Sequence, residues 1–365
     1  MEIDRNFARI NLNNILHNYK LVQSISTAKE VLAVVKADAY GHGAKEVALM
    51  LEKYGCHYFA VASLLEAIEL REAGVKNNIL IFGKTIPQNI YYLHKYDLIQ
   101  TVDSLEYAKV LNAYGKKIRI HVNIDTGMSR LGIYLHETYD LDRVKYELIE
   151  IYNLKYINFE GIYTHFADAD GLRNDFTKNQ FNLFKALKRS LAKTELNNLI
   201  YHSSNSAASI LYPEYSMDMV RLGIAMYGYP PVKTDKQFLP AMSLFARVVS
   251  LRDISPDDTV SYGRTYSPEE KERIATIAIG YADGYNRLLS NNDYLVFKGE
   301  KLEVVGRVCM DLIMVKTHNL DITVGSEVEV FGENKPLLKM CKKLNTIPYE
   351  LLCNVSKRVL RVYPK

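Results

Sequence analysis

Apolar residues in this chain follow two rhythms. Over the first two-thirds, short runs dense in Val, Ile, Leu and Phe alternate with stretches whose apolar positions recur every three or four residues, the periods of buried strands and one-sided helices. Strand-like runs fall at 31–36, 57–63, 79–83, 98–102, 118–124, 157–165 and 219–224, with a weaker one near 199–203. Between them lie helical patterns such as 64–74, Leu-Leu-Glu-Ala-Ile-Glu-Leu-Arg-Glu-Ala-Gly, which ends on the glycine expected just past a helix. Another, at Leu12, Ile15, Leu16 and Tyr19, precedes the first run. Eight such units predict an α/β fold, a (β/α)8 barrel of the TIM type, with a doubly wound open sheet as the alternative. No Gly-x-Gly-x-x-Gly follows the first strand, which argues against the dinucleotide-binding version of that alternative.

Near Tyr229-Pro230-Pro231 the rhythm changes. Strand patterns follow one another at 243–251, 274–279, 294–297, 302–308 and 327–331, punctuated by Gly and Asp, and helical periodicity returns only around 337–353. The expected division is a barrel domain over 1–235 and a mainly β domain over 236–365. A chain of 365 residues exceeds the size at which one core stops growing, in keeping with two domains.

Chemistry gathers where the strands end. Val31-Leu32-Ala33-Val34-Val35 delivers Lys36 to the barrel rim, and an amine there is partly desolvated, which disfavours its charged form and suits it to act as a nucleophile or base. The fifth strand runs into a turn-rich loop presenting Arg130, the sixth ends in Tyr163-Thr164-His165, the seventh is followed by His202-Ser203-Ser204-Asn205-Ser206, and the eighth embeds Arg221 in an apolar run. In a β/α barrel the carboxyl ends of the strands share one face, so these residues converge. Ser206 and the Gly223-Ile224 amides fall where such barrels cradle phosphate. A phosphate cradle beside a desolvated lysine points to pyridoxal 5′-phosphate, whose aldehyde condenses with an amine; a phosphosugar enzyme with an unrelated lysine is the alternative.

Composition narrows the partners. A net charge of +4 with dispersed basic residues lacks the stripe that neutralises a nucleic-acid backbone. Four cysteines, at 56, 309, 341 and 353, show no metal-ligand spacing, so no metal site is expected and the thiols are read as reduced. The opening Met1-Glu2-Ile3-Asp4-Arg5 carries no apolar leader, and no run approaches the roughly 20 apolar residues of a membrane span. The expectation is a cytoplasmic protein with no membrane association.

Six motifs carry a resemblance across nearly the whole chain. They are Val35-Lys36-Ala37-Asp38-Ala39-Tyr40-Gly41-His42-Gly43, Asp125-Thr126-Gly127-Met128-Ser129-Arg130-Leu131-Gly132, Arg221-Leu222-Gly223-Ile224-Ala225-Met226-Tyr227-Gly228, Ser261-Tyr262-Gly263, Ile279-Gly280-Tyr281-Ala282-Asp283-Gly284 and Gly306-Arg307-Val308-Cys309-Met310-Asp311. Together and in this order they resemble the alanine racemase family. The resemblance implies pyridoxal 5′-phosphate and a head-to-tail homodimer whose active sites are shared between subunits. It implies that Lys36 binds the cofactor and serves as one catalytic base, that Tyr262 of a second copy is the other, and that His165 links Arg221 to Tyr262. Arg221 would face the cofactor's ring nitrogen, and Tyr40, Asn205, Ser206, Gly223 and Ile224 its phosphate. Arg130 and the Met310 backbone would take the substrate carboxylate, with Tyr281, Asp170, Arg307 and Asp311 lining the entrance. The implied activity is interconversion of L- and D-alanine, supplying peptidoglycan synthesis, with a serine racemase of the same architecture, or dual activity, as the alternative.

Two positions depart from the family pattern. Asn123 stands where many relatives carry a carbamylated lysine, so a chloride ion is expected beside it. Lys357 stands where some members place a tyrosine near the phosphate, which bears on substrate range.

Overall fold

Apolar strands that alternate with amphipathic helices have to be covered on both faces, and the first part of this chain meets that requirement with a ring. The computed structural model describes residues 5–171, 175–318 and 320–364, so the opening Met1–Asp4 lies outside the described residues. Two compact units divide the chain: Asn13–Ala39 with Ala44–Leu239, and Met1–Leu12 with Tyr40–Gly43 and Pro240–Lys365. Set beside the expected boundary at 235/236, this partition breaks after Leu239 and gives Tyr40–Gly43 and β1 (Asn6–Ile10) to the second unit. Its register explains why, because Asn6 to Ile10 pair antiparallel with Ala246 to Met242.

The first unit holds β2 (Glu30–Val34), β3 (Tyr58–Val61), β4 (Asn78–Ile81), β5 (Ile99–Val102), β6 (Ile118–Asp125) with its two-residue neighbour β7 (Ile133–Tyr134), β8 (Ile157–Tyr163), β9 (Ile200–His202) and β10 (Met219–Leu222). All pairings are parallel, in the order β10-β2-β3-β4-β5-β6-β8-β9. The Asp218 N–H donates to the Tyr201 carbonyl at 2.9 Å and the Arg221 N–H to the Ser204 carbonyl at 3.0 Å, which joins β9 to β10 and completes the circle. Every strand-like run expected in the barrel region is a strand of this sheet. The order makes the reading a barrel rather than an open doubly wound sheet, since β2 lies beside β10 as well as β3.

The second unit is a sheet of β11 (Met242–Ile254), β12 (Glu272–Ile277), β13 (Tyr294–Phe297), β14 (Glu300–Val305), β15 (Ile313–Lys316), β16 (Glu327–Phe331) and β17 (Leu360–Val362) together with β1. It is antiparallel except for the β1–β17 pair, and β11 also pairs with β12. Beyond the five strands expected from the pattern it contains β1, β15 and β17. β17, with three residues, is too short for an alternation to register, and β1 lies more than two hundred residues from its partner. Among the described residues no helix is long and apolar enough to cross a membrane.

This unit buries an ion pair. Lys335 and Asp293 are fully enclosed with Nζ and Oδ2 2.5 Å apart, and Asp293 also accepts from the Tyr285 hydroxyl at 2.7 Å and from Lys343 at 3.1 Å. Burial pushes the Lys335 ammonium down to about 8, with Asp293 limiting the fall, so it stays charged at neutral pH. Removing one partner strands a charge. Asp293→Ala is therefore expected to lower the unfolding free energy by about 3–5 kcal/mol in a urea titration, while replacing the pair by Lys335→Met with Asp293→Leu loses less. Equal losses from the two changes would show that the charge is not what matters.

Candidate active site

Lys36 is the first residue past its sheet. β2 ends at Val34, Val35 still donates its N–H to the Ala60 carbonyl at 2.9 Å, and the backbone then turns left-handed: Ala37, Asp38, Ala39 and Tyr40 have φ of 52°, 54°, 53° and 53°. Each such residue costs roughly 1–2 kcal/mol, so the turn needs an anchor. Glu66 supplies it. Its side chain completes the capping box with Ser63 at the start of the Leu64–Glu72 helix, and Oε1 reaches the Ala37 N–H at 2.7 Å while Oε2 accepts from Ala62 at 2.7 Å. Asp38 secures the exit by accepting from the Ala44 N–H at 2.8 Å.

The lysine opens into a cavity of about 250 Å³ that Asn123, Asp125, Arg130, Tyr163 and His165 also line. The loop carrying Arg130 is folded around the Asp125 carboxylate, which accepts from the Gly127 and Ser129 N–H groups at 3.0 Å each and lies 3.3 Å from His136. Burial alone would raise that carboxyl, but these donors outweigh it and hold Asp125 below its ordinary value. The loop returns through Gly132 at φ +126°, where a Cβ would sit 2.7 Å from the Asp125 nitrogen. Arg130 itself makes no hydrogen bond or ion pair with a described residue and is exposed, and Asn123 turns its Nδ2 to the Leu131 carbonyl at 2.6 Å.

Arg221 is buried at the end of β10. Its guanidinium donates to the carbonyls of Thr164 at 2.7 Å, Ser203 at 2.9 Å and His202 at 3.2 Å. It also lies 2.9 Å from Nδ1 of His202 and 3.3 Å from Nδ1 of His165. A guanidinium has donors only, so the His202 nitrogen accepts and that ring carries its proton on Nε2, while the two hydrogens on the nitrogen nearest His165 are directed at the Thr164 and Ser203 carbonyls. Burial first, and then the charge of Arg221, pushes His165 and His202 well below the usual range, so both are neutral at physiological pH. Arg221 is pushed down by burial to about 10 and keeps its charge.

Nearby, Ser206 accepts from the Gly223 N–H at 2.9 Å, and Asn205 caps the Ser206–Leu211 helix through the Ala208 N–H at 3.0 Å. Gly223 in turn opens the short helix Ile224–Tyr227. Asp170 is exposed in the loop after β8.

The remaining expected residues lie in the second unit. Tyr40 is buried there, its ring 5.9 Å from that of Tyr349. Tyr262 is 73% exposed on a turn pinned by the Ser261 hydroxyl, which donates to the Arg307 carbonyl at 2.6 Å. The Tyr281 and Ala282 N–H groups donate to the Cys309 and Met310 carbonyls, both at 3.0 Å, so Tyr262, Tyr281, Arg307 and Met310 share one cluster of loops. Asp311, which follows Met310, is held by Arg358 at 2.6 Å. Lys357, beside that arginine, is exposed. Sequence reading missed Glu66, and it passed over His121 as a strand residue, although a histidine inside an apolar strand is itself a signal for a buried polar chain; His202, expected just past the seventh strand, is its last residue.

The comparisons with known proteins agree with one another. The family described as "Alanine racemase, N-terminal domain" matches residues 10–231, and "Alanine racemase, C-terminal domain" matches 241–363. "Alanine racemase 1" of Caldanaerobacter subterraneus is 41% identical over 96% of this chain and 93% of its own. The solved alanine racemase of Clostridium difficile 630 superposes with a TM-score of 0.93 at 41% identity, covering 99% of this chain and 96% of that one. That of Bartonella henselae, with covalently bound pyridoxal phosphate, gives 0.88 at 30% identity and covers 99% of each chain.

Glu66 offers a test that needs no ligand. Glu66→Ala removes one half of a capping box and the carboxylate that holds Ala37, and is expected to cost about 1–3 kcal/mol of stability. Hydrogen exchange should show the Ala37 amide losing protection while β2 keeps its own. An unchanged Ala37 amide would remove Glu66 from this role.

Proposed function

The chain belongs to the alanine racemase family, and on that premise we propose that it interconverts L- and D-alanine with pyridoxal 5′-phosphate bound at Lys36. The observation that carries the reading is the cavity in which Lys36, Arg130 and His165 meet. The donor set fits the cofactor: an amine for its aldehyde, the Ser206 hydroxyl with the Gly223 and Ile224 amides for its phosphate, assisted by Tyr40 and Asn205, and a guanidinium for its ring nitrogen. When bound, the cofactor supplies the conjugated ring that accepts the electron pair left as a substrate carbon loses its proton. Arg221 keeps its protons at neutral pH and would face the ring nitrogen as a donor, leaving that nitrogen without a proton of its own. That moderates electron withdrawal and favours prompt return of the proton over competing bond cleavages.

Inverting a stereocentre requires a proton to leave one face and another to arrive on the opposite face. Lys36 serves one face. Tyr262, donated by a second copy of the chain in a head-to-tail dimer, serves the other, and its 73% exposure supports this assignment. Arg130 and the Met310 backbone orient the substrate carboxylate, and Tyr281, Asp170, Arg307 and Asp311 form the entrance. The serine racemase alternative is not favoured, since relatives about 40% identical along nearly the full chain bear the alanine racemase name. The reading places the enzyme in the cytoplasm, supplying D-alanine to peptidoglycan; four free thiols support a reducing compartment.

Lys36→Ala is expected to abolish both the visible absorbance of the lysine-bound cofactor and the circular-dichroism decay of L-alanine. A borohydride-reducible adduct on another lysine would refute the assignment. The division between chains is tested by mixing. Lys36→Ala and Tyr262→Phe homodimers should each be inactive, while a heterodimer has one site carrying both lesions and one carrying neither, so activity returns. Heterodimers verified by native mass spectrometry and still inactive would refute the shared site. A third expectation concerns Arg130, which forms no ion pair among the described residues and lines the cavity with neutral Asn123. Replacing chloride by a bulky, weakly binding anion should raise KM for alanine, and an unchanged KM would argue against an anion there.

A further inference from the structure

Behind Arg221 the hydrogen-bond chain continues one imidazole deeper. Nε2 of His202 lies 2.9 Å from Nδ1 of His121, and the rings meet edge-on with centroids 5.1 Å apart. Because His202 accepts from Arg221 at Nδ1, its one proton is on Nε2 and points at His121. His121 must then accept at Nδ1 and carry its own proton on Nε2, an atom that is buried without a partner among the described residues. An orphaned buried N–H is costly. The chain accepts that cost and keeps the acceptor facing His202. Burial, followed by the charges of Arg119 and Arg221, pushes His121 down to about 3, so no second proton intervenes.

The fold makes a dedicated seat for this ring. Along the β6–β8 pair, Ile120 faces Phe159 and His121 faces Gly161, so Glu160 is an extra residue in a bulge. Glu160 is used elsewhere, in an ion pair with Arg119 at 2.8 Å. The bulge brings Gly161 beneath the imidazole, where a Cβ would approach Nδ1 and Cε1 of His121 to 2.6 Å. Any other side chain at 161 would push the ring off its partner.

We propose that His121, seated on Gly161, is a positioning residue that fixes the tautomer of His202 and through it the orientation of Arg221. Its bearing on the reaction rests on the assignment of Arg221 to the cofactor's ring nitrogen; the tautomer does not.

The test is made on the holoenzyme with ¹⁵N-labelled histidine. In the native protein His202 should show an acceptor-type Nδ1 and a protonated Nε2. His121→Leu removes the acceptor and should shift His202 towards the other tautomer, lower kcat for alanine by about 10–100-fold with KM little changed, and alter the cofactor's visible band. His121→Asn places an oxygen near the former Nδ1 and should restore the native ¹⁵N pattern and most of kcat, which a purely space-filling role would not. If His121→Leu fails to fold, Gly161→Ala keeps both imidazoles and should still displace the tautomer. A native His202 protonated on Nδ1, or ¹⁵N shifts unmoved in both variants, would overturn the proposal. A shifted tautomer with kcat and the visible band unmoved would overturn the part His121 plays in the reaction. Failure of the underlying functional reading would look different: the native protein would not racemise alanine, with the imidazole pattern intact.

Discussion

Arg221 brings a full positive charge into the interior of the first unit, and among the described residues no carboxylate meets it. Its neighbours are the carbonyls of Thr164, His202 and Ser203 and two uncharged imidazoles, with the Tyr163 ring 5.2 Å away. A buried charge stabilised by dipoles alone needs those dipoles fixed in number and direction. The consecutive carbonyls of His202 and Ser203 at the end of β9, and that of Thr164 just past β8, all reach the one guanidinium. The barrel provides this because parallel strands end in register, so loops from different strands deliver acceptors to one point.

The constraint extends outward from there. Thr164 shares a hydroxyl hydrogen bond of 2.7 Å with Thr126 in the loop that presents Arg130. Gln180 binds the His165 carbonyl at 3.1 Å and the Ala167 N–H at 2.9 Å. The two arginines of the site are therefore mechanically linked through buried polar contacts while differing in character. One is enclosed and held by three carbonyls and two imidazoles, and the other is exposed and has no fixed partner among the described residues. Under the proposed assignment, the group facing the cofactor's ring benefits from immobility, whereas the one receiving a carboxylate needs room to move.

How much of this could be read in advance depends on whether the signal is local. The barrel strands were legible because burial on both faces makes each a short apolar run, and Lys36, His165 and Arg221 were legible because a polar residue interrupts or ends such a run. β1 and β17 were not, since what defines them is pairing with distant residues. Glu66 looked like an ordinary helix-start acid, and the additional bond to Ala37 depends on how two βα loops approach each other. Gly161 was equally silent. Its meaning comes from a one-residue register shift that no periodicity records. The roles of Tyr262 and Met310 came from resemblance alone, because residues in the second unit have no pattern that ties them to a lysine in the first.

The left-handed turn after Lys36 has a bearing on the order of events in the life of the chain. Ala37, Asp38 and Ala39 have no intrinsic preference for that conformation, and an unfolded or nascent chain will hold them elsewhere. The turn is imposed from outside by Glu66, which is itself in place only once the next βα unit has docked. A lysine emerging during synthesis is then an ordinary, fully hydrated surface amine, indistinguishable in reactivity from the others. The placement of that amine at the cavity is deferred until the surrounding architecture exists.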